Sequence, residues 1–307
     1  MRTSSGCQRE VRALSIITKR RGPALKRPQA VNTVRERVVL EGIGLHTGEP
    51  ARLIIHPSDK GILTVRLGAQ RVPVRWDYVV DTHRATVIGM GGQRLATVEH
   101  LLSAMWALRV GSAVIEVVQG REVPAMDGSA LPFLEAIGAA GVVACPNAFC
   151  KPIHTMLTVQ EGERVVSIQP GEETVFGYIQ FSEPLGVQAG SFVLADYAQA
   201  IAPARTFAFL HGVEALRRQG LAQGGSLENA LVVAPNGYYN SARFADEPLR
   251  HKILDGIGDL MLCGACPVGF HLTLVKAGHA LHCAFARALA GLWRHTEAHY
   301  GGMAPEH

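Results

Sequence analysis

RHKILDGIGDLML, residues 250–262, places three ionisable side chains in one row of an otherwise apolar helix. His251, Asp255 and Asp259 recur every four residues, so they lie on one helix face and spread over only about 80°. Because unpaired buried charge is unfavourable, such a row usually coordinates a metal or finds polar partners. A solvated helix face with charges near its ends is the simpler alternative. A third ligand is needed before the row predicts a metal site.

The composition around this helix is that of a globular protein. The chain has 307 residues, of which 48% are hydrophobic and 18% are charged, and this length suffices for two domains. No run approaches the roughly 20 apolar residues of a membrane span, so we expect no stable membrane insertion. Six cysteines show no disulfide framework in so long a chain, which favours the cytoplasm. We interpret the CxxC pair Cys263 and Cys266 as packing residues.

The N-terminal segment carries much of the formal net charge of +4. We predict that residues 1–32 form a disordered basic tail and that the fold begins near Thr33. A secretory signal is a poor fit, because the apolar stretch at 13–17 is short and more basic residues follow it. An amphipathic targeting arm or a nucleic-acid arm is the alternative. The remainder of the chain gives no reason to expect a nucleic-acid partner.

The order of predicted elements indicates an α+β fold. Short hairpin-like strands alternate with a few helices in each half, without the βαβ series of a parallel sheet. We expect a first domain over 33–145 and a second over 150–300, divided where the two prolines of CPNAFCKP, residues 145–152, interrupt the pattern. Asp127 precedes a predicted helix, and we interpret it as a turn and cap residue. Neither GxGxxG nor a P-loop is present, so nucleotide cofactors have no motif support.

The third candidate ligand lies in LATVEHLLSAMWALRV, residues 95–110. Adjacent helical residues point about 100° apart, so His100 can bind a metal while Glu99 faces a water on that metal. His100 with His251 and Asp255 would give three zinc ligands and one open position, the pattern of catalytic sites. Zinc lowers the pKa of such a water to about 7, and a neighbouring carboxylate then serves as general base. Spacing alone does not show that His100 and His251 meet.

Seven segments, in one order, carry a family resemblance: GIGLHTG, TVEHLLSA, VPAMDGSALPF, ARTFAF, GGSLENALVV, RHKILDGIGDL and KAGHAL. Together they closely resemble the UDP-3-O-acyl-N-acetylglucosamine deacetylases, zinc amidases of lipid A synthesis in Gram-negative bacteria, over about residues 33–300. The resemblance implies two α+β domains of similar topology, each a β-sheet layer packed on helices, with zinc between them. A βαβ insert near 206–235 would form the acyl-chain passage. We expect no fused dehydratase, which some relatives carry.

The resemblance also implies roles for individual residues. The zinc ligands would be His100, His251 and Asp255, the same three side chains as above. The expected catalytic groups are Glu99 as general base, His279 as a cation, Asp259 holding that imidazole, and Thr206 polarising the substrate carbonyl. The expected substrate contacts are Phe207 at the sugar, Lys252 and Lys276 near the diphosphate, Arg164 and Phe181 at the phosphate and uracil, and Leu210, Val213 and Ala222 along the acyl passage.

The implied activity is hydrolysis of the N-acetyl group of UDP-3-O-acyl-N-acetylglucosamine by a cytoplasmic, monomeric, Zn²⁺-dependent enzyme. This releases acetate in the committed step of lipid A biosynthesis. Two other functions stay open at this point. A metal hydrolase acting on another amide or phosphoester would not prefer the acylated UDP-sugar. A structural-zinc or interaction protein would have a closed metal site without a water position.

Overall fold

A five-stranded sheet and the helix that carries Glu99 and His100 organise the first half of the chain. The computed structural model describes residues 29–300, and the predicted basic tail up to residue 28 lies outside the described residues. Alternating apolar residues form the strands, because one face of the sheet is buried. The elements are β1 (Ala30–Val34), β2 (Val38–Ile43), β3 (Pro50–Pro57), β4 (Leu63–Leu67), β5 (Gln70–Pro73), β6 (Val79–Asp81), β7 (Val87–Met90), β8 (Gln93–Leu95), α1 (Glu99–Ala107), β9 (Ala113–Gln119), α2 (Leu131–Ala140) and β10 (Val142–Phe149).

The second half repeats this plan and adds an insert before its long helix. The row of His251, Asp255 and Asp259 lies on that helix, and His279 begins the last helix, both as predicted. The elements are β11 (Lys151–Pro152), β12 (Leu157–Glu161), β13 (Arg164–Pro170), β14 (Thr174–Gln180), β15 (Val187–Val193), α3 (Tyr197–Ala200), β16 (Phe207–Phe209), α4 (Leu210–Arg218), β17 (Leu231–Ala234), β18 (Gly237–Tyr238), α5 (Glu247–Leu260), β19 (Pro267–Val268), β20 (Phe270–Val275) and α6 (His279–Tyr300).

The two five-stranded sheets have the same topology. Their strand orders are β2-β3-β9-β4-β5 and β12-β13-β20-β14-β15. In each sheet the central strand, β9 or β20, is antiparallel to one neighbour and parallel to the other. Each central strand also lies between two helices in sequence, α1 and α2 or α5 and α6. The predicted α+β fold with two domains of similar topology is therefore confirmed.

The helices of both halves meet one another beside the sheets. α5 packs against α1, α6, β14 and β15, while α6 packs on β12 and β13, and α2 packs on β2. Gly258 permits a close approach of α5 to α1, because a Cβ there would overlap the carbonyl group of Glu99. This contact brings the first turn of α1, with Glu99 and His100, beside the ionisable row of α5.

Two strands extend beyond the predicted limits of the first domain. β1 begins at Ala30, three residues before Thr33. β10 crosses the predicted boundary at 145 and pairs with β1 as far as Phe149. Pro146 does not end the strand because it lies where the register shifts, between the pairs Asn32–Ala144 and Ala30–Phe149. Prolines are tolerated at such bulges because no ladder hydrogen bond is required there.

The insert is a βαβ unit at the predicted position. β16 pairs in parallel with β17, and α4 connects them. No residue of α4 is fully buried, so this helix lies on the surface of the described part of the chain.

Cys263 and Cys266 are buried in the hydrophobic core, in agreement with a packing role. None of the helices within 29–300 is long and apolar enough to cross a membrane.

Candidate active site

The three predicted metal ligands meet between α1 and α5. His100 Nε2 lies 3.5 Å from Asp255 Oδ1, and His251 Nε2 lies 3.4 Å from the same oxygen. The two imidazole rings are 4.9 Å apart and nearly perpendicular. All three side chains are buried, and their ligand atoms lie within 4.8 Å of one another. One histidine of the first half and two residues of the second half therefore form a single group.

The chemistry of this group fits a small divalent cation. Asp255 Oδ1 is buried and has no hydrogen-bond partner among the described residues. A tetrahedral ion with ligands at 2.0–2.1 Å would hold these atoms about 3.3 Å apart, close to the 3.4 and 3.5 Å between them. His251 Nδ1 lies 3.1 Å from the Ala204 carbonyl. Donation to that carbonyl leaves the Nε2 lone pair available for a metal.

Burial and local charges favour the metal-binding protonation states of His251 and Asp255, the two α5 residues of this group. Burial lowers the pKa of His251 to about 4, although the charge of Asp255 opposes this. The ring is therefore neutral, the form that binds metals. Burial would raise the pKa of Asp255, but the positive charge of Lys252 opposes it, and this pKa lies well below its usual value. Lys252 Nζ donates to Asp255 Oδ2 at 2.6 Å and so fixes the carboxylate.

Glu99 and His279 lie beside the metal-binding group. His279 Nε2 is 3.8 Å from Asp255 Oδ2 and 3.9 Å from Glu99 Oε1. Glu99 Oε2 accepts a hydrogen bond from the Thr86 backbone N–H at 3.0 Å. Burial raises the pKa of Glu99 although the charges of His279 and His100 oppose it. A buried carboxylate with a raised pKa is a competent general base once it is ionised.

Asp259 binds His279 from behind. Its Oδ2 lies 2.8 Å from His279 Nδ1, and its Oδ1 accepts a bond of 2.6 Å from the Thr86 hydroxyl. Burial would lower the pKa of His279, but the charges of Asp259 and then of Glu99 raise it to about 9. Burial would raise the pKa of Asp259, but the charge of His279 and its hydrogen bond lower it to about 2. Both shifts favour the pair of an ionised Asp259 and a protonated His279.

A cavity of about 730 Å³ opens from these groups toward the insert. Glu99, His100, His251, Asp255 and His279 lie in its wall. The rings of Phe181 and Phe207 also line it and pack edge to face at 5.5 Å. The remaining predicted contacts that line the cavity are Thr206, Leu210, Val213, Ala222 and Lys252.

Arg164 and Lys276 are not among the described residues that line this cavity. They lie at neighbouring ends of β13 and β20, since Val165 pairs with Val275. Lys276 Nζ binds Glu163 at 2.7 Å, and Arg164 Nη1 is 3.8 Å from Glu161. Both cations are therefore paired with carboxylates at the ends of two interior strands of the second sheet.

Sequence reasoning gave no role to four residues that build the site. Glu122 is buried and accepts hydrogen bonds from the His46 backbone and the Thr97 hydroxyl, which fixes the GIGLHTG loop. His46 lies in the cavity wall. Thr86 bridges Glu99 and Asp259. His282 could have been found, because its three-residue spacing from His279 predicts the same helix face.

The two-domain α+β fold and a metal-fitting group beside a carboxylate and a cationic imidazole define a hydrolytic enzyme. The model of the family LpxC: UDP-3-O-acyl N-acetylglycosamine deacetylase matches residues 31–291, and the chain belongs to this family. A UDP-3-O-acyl-N-acetylglucosamine deacetylase of Thermosynechococcus vestitus is 43% identical, covering 81% of this chain and 90% of the relative. Deacetylases of the same name from Leptospira biflexa and Myxococcus xanthus are 40% and 41% identical, covering 84% and 83% of this chain and 88% and 85% of the relatives.

Proposed function

We propose that this chain hydrolyses the N-acetyl group of UDP-3-O-acyl-N-acetylglucosamine in a Zn²⁺-dependent reaction. The products are acetate and a free amine on the sugar, in the committed step of lipid A biosynthesis. One observation carries the proposal: the buried Oδ1 of Asp255 has no hydrogen-bond partner among the described residues and faces two imidazole nitrogens. The three relatives are UDP-3-O-acyl-N-acetylglucosamine deacetylases, which supports this substrate.

His100, His251 and Asp255 would hold the zinc ion. When bound there, zinc would supply a Lewis acid for the amide carbonyl and make a water more acidic. Glu99 accepts the proton of the attacking water as general base. The Thr86 N–H holds one oxygen of Glu99 and leaves the other directed toward His279. Glu99 thus stands ready to receive a proton beside the ligand group.

His279 stabilises the negative charge that develops on the carbonyl oxygen. A cation fixed in a buried site performs this task better than one in water, because it needs no reorganisation during the reaction. Asp259 keeps the imidazole protonated, and the Thr206 hydroxyl donates to the same carbonyl. Glu99 or His279 then delivers a proton to the leaving amine. Acetate and the amine leave the cavity.

Different parts of the cavity wall contact chemically different parts of the substrate. Phe207 contacts the sugar, and Phe181 contacts the uracil. The apolar residues Leu210, Val213 and Ala222 of the insert face the acyl chain. Lys252 supplies positive charge within the cavity wall. Arg164 and Lys276 attract the diphosphate from the ends of strands β13 and β20.

We also propose that the enzyme works as a monomer in the cytoplasm. The ligand group, the base and the cation all come from one chain, so the site needs no second copy. The five cysteines within the described part of the chain are free thiols, which agrees with a reducing compartment. Two α+β domains around the site complete the proposed organisation.

Acetate release tests this function. The full-length protein is incubated with UDP-3-O-acyl-N-acetylglucosamine before chelation, after chelation, and after one equivalent of Zn²⁺ is restored. We expect acetate release to disappear on chelation and to return with zinc. UDP-N-acetylglucosamine without the acyl chain is the matched control and should react far more slowly. Acetate release that persists without metal, or equal turnover of both sugars, would contradict the proposal.

A further inference from the structure

Two imidazoles share one oxygen of Asp259. His282 lies on α6 one turn after His279, is 3% exposed, and places its Nδ1 2.9 Å from Asp259 Oδ2. His279 Nδ1 lies 2.8 Å from the same oxygen. The two rings are 6.0 Å apart and nearly perpendicular, so they approach this oxygen from different directions. The mechanism above uses His279 and leaves His282 without a role.

We infer that His282 is a positioning residue, which holds Asp259 in the orientation that binds His279. The inference rests on the proposed function for its catalytic consequence. A carboxylate bonded to His279 alone could rotate about its side-chain torsion. The Thr86 hydroxyl fixes Oδ1 and His282 fixes Oδ2, so the carboxylate has one orientation. Outer partners of this kind set the geometry of catalytic groups.

The hydrogen-bond inventory explains why an imidazole occupies this position. An ionised carboxylate only accepts hydrogen bonds, so His282 must donate from Nδ1. Its Nε2 is buried and has no partner among residues 29–300. A buried ring nitrogen without a partner costs stability, so packing alone would favour an apolar side chain here. Burial also lowers the pKa of His282. The ring is neutral and adds a donor without a second positive charge.

The bond lengths argue against a metal in this group, although Asp259, His279 and His282 lie close enough together for one. Separations of 2.8 and 2.9 Å are those of hydrogen bonds. A proton therefore occupies each Nδ1–Oδ2 contact. The geometry is that of a shared acceptor. His279 lies on the substrate side and His282 behind it, since of these two histidines only His279 lines the cavity.

A matched pair of variants in the zinc-loaded, full-length enzyme tests this role. His282→Asn places its amide nitrogen where Nδ1 stands, whereas His282→Leu places a methyl group there at similar size. We expect His282→Leu to lower kcat by roughly 10–100-fold, with KM and zinc content unchanged. His282→Asn should keep kcat close to that of the unmodified enzyme. Wild-type kcat in the leucine variant, or equal losses in both variants, would overturn the inference.

His282→Gln covers the case in which the leucine variant does not fold. Its amide nitrogen stands near the Nε2 position, so it stays polar but loses the Nδ1 donor. We expect glutamine to behave like leucine and unlike asparagine. A glutamine variant as active as the asparagine variant would count against the Nδ1 bond.

Crystal structures of the zinc-loaded variants separate this inference from the proposed function. The contact between Asp259 Oδ2 and His279 Nδ1 should persist in His282→Asn and be lost or rotated in His282→Leu or His282→Gln. That result holds whichever amide the enzyme cleaves. An unchanged Asp259 in the leucine and glutamine variants would overturn the positioning role. Absence of acetate release from the wild-type enzyme would contradict only the proposed function.

Discussion

Helix α5 carries two carboxylates one turn apart, and each lies between two imidazoles. Asp255 Oδ1 faces the Nε2 atoms of His100 and His251 at 3.5 and 3.4 Å and has no hydrogen-bond partner within the described chain. Asp259 Oδ2 instead binds two Nδ1 atoms, at 2.8 and 2.9 Å. The residue types are the same in both groups. The nitrogen–oxygen separations differ, and so does the ring nitrogen that faces the carboxylate, Nε2 in one group and Nδ1 in the other.

That difference separates a group whose geometry fits a metal ion from a group held by hydrogen bonds. A contact of 2.8–2.9 Å between nitrogen and oxygen holds a proton, whereas one of 3.4–3.5 Å is too long for a good hydrogen bond and suits two ligands of one cation. The histidines of the two groups also come from different elements. His279 and His282 both come from α6, beside α5. His251 lies on α5 itself, and His100 comes from α1 of the other half, which contacts α5 where Gly258 meets Glu99.

The largest expected effect comes from removing Asp255, and the matched variant at Asp259 shows what the other carboxylate does. Asp255→Ala should lose zinc on dialysis and with it nearly all turnover, because it removes a ligand. Asp259→Ala should keep zinc, because Asp259 binds His279 and is not a metal ligand. Its loss should lower activity by roughly 10–100-fold. Metal analysis of the dialysed proteins measures their zinc content, and acetate release measures their turnover. Equal zinc loss in the two variants would erase the distinction between the groups.

Glu99→Gln should have the next largest effect. Glutamine keeps the size of the side chain and removes the base, so kcat should fall roughly 10²–10⁴-fold. Zinc content should stay at the wild-type level, because Glu99 is not a ligand. Metal analysis and single-turnover acetate release are the measurements. A glutamine variant with near-normal kcat and full zinc would reject Glu99 as the base.

Asp259→Asn should have a smaller effect, visible in the pH dependence of kcat/KM. Activity should rise with pH as Glu99 ionises, above the usual carboxyl range because its pKa is raised. It should fall as His279 loses its proton, near pH 9. Asparagine removes the negative charge that raises the pKa of His279, so the alkaline limb should move to lower pH. The acid limb should move far less. An unmoved alkaline limb would show that Asp259 does not maintain the imidazolium.

The sequence predicted the residues of α5 well, because four-residue spacing places side chains on one face whatever the tertiary structure. The pairing of His100 with His251 was beyond any spacing rule, since it depends on how two helices from different halves pack. The order of seven family segments supplied that pairing. The metal-ligand geometry of the described residues agrees with it.

Residues that act through a shared partner were harder to predict. Thr86 precedes a strand and reaches Glu99 and Asp259 only in three dimensions. Glu122 fixes a loop some 75 residues earlier in the chain. The extension of β10 beyond residue 145 was hard to predict for a different reason. Pro146 disrupts a regular ladder, but a register shift in β10 accommodates it and the strand continues.

Locating zinc in a crystal tests the comparison most directly. Crystals of the full-length protein grown with one equivalent of Zn²⁺ are measured on both sides of the zinc absorption edge, and an anomalous difference map is calculated. A single peak should lie between His100 Nε2, His251 Nε2 and Asp255 Oδ1. A peak among Asp259, His279 and His282, in place of the first, would contradict the assignment of one carboxylate to the metal and the other to the proton.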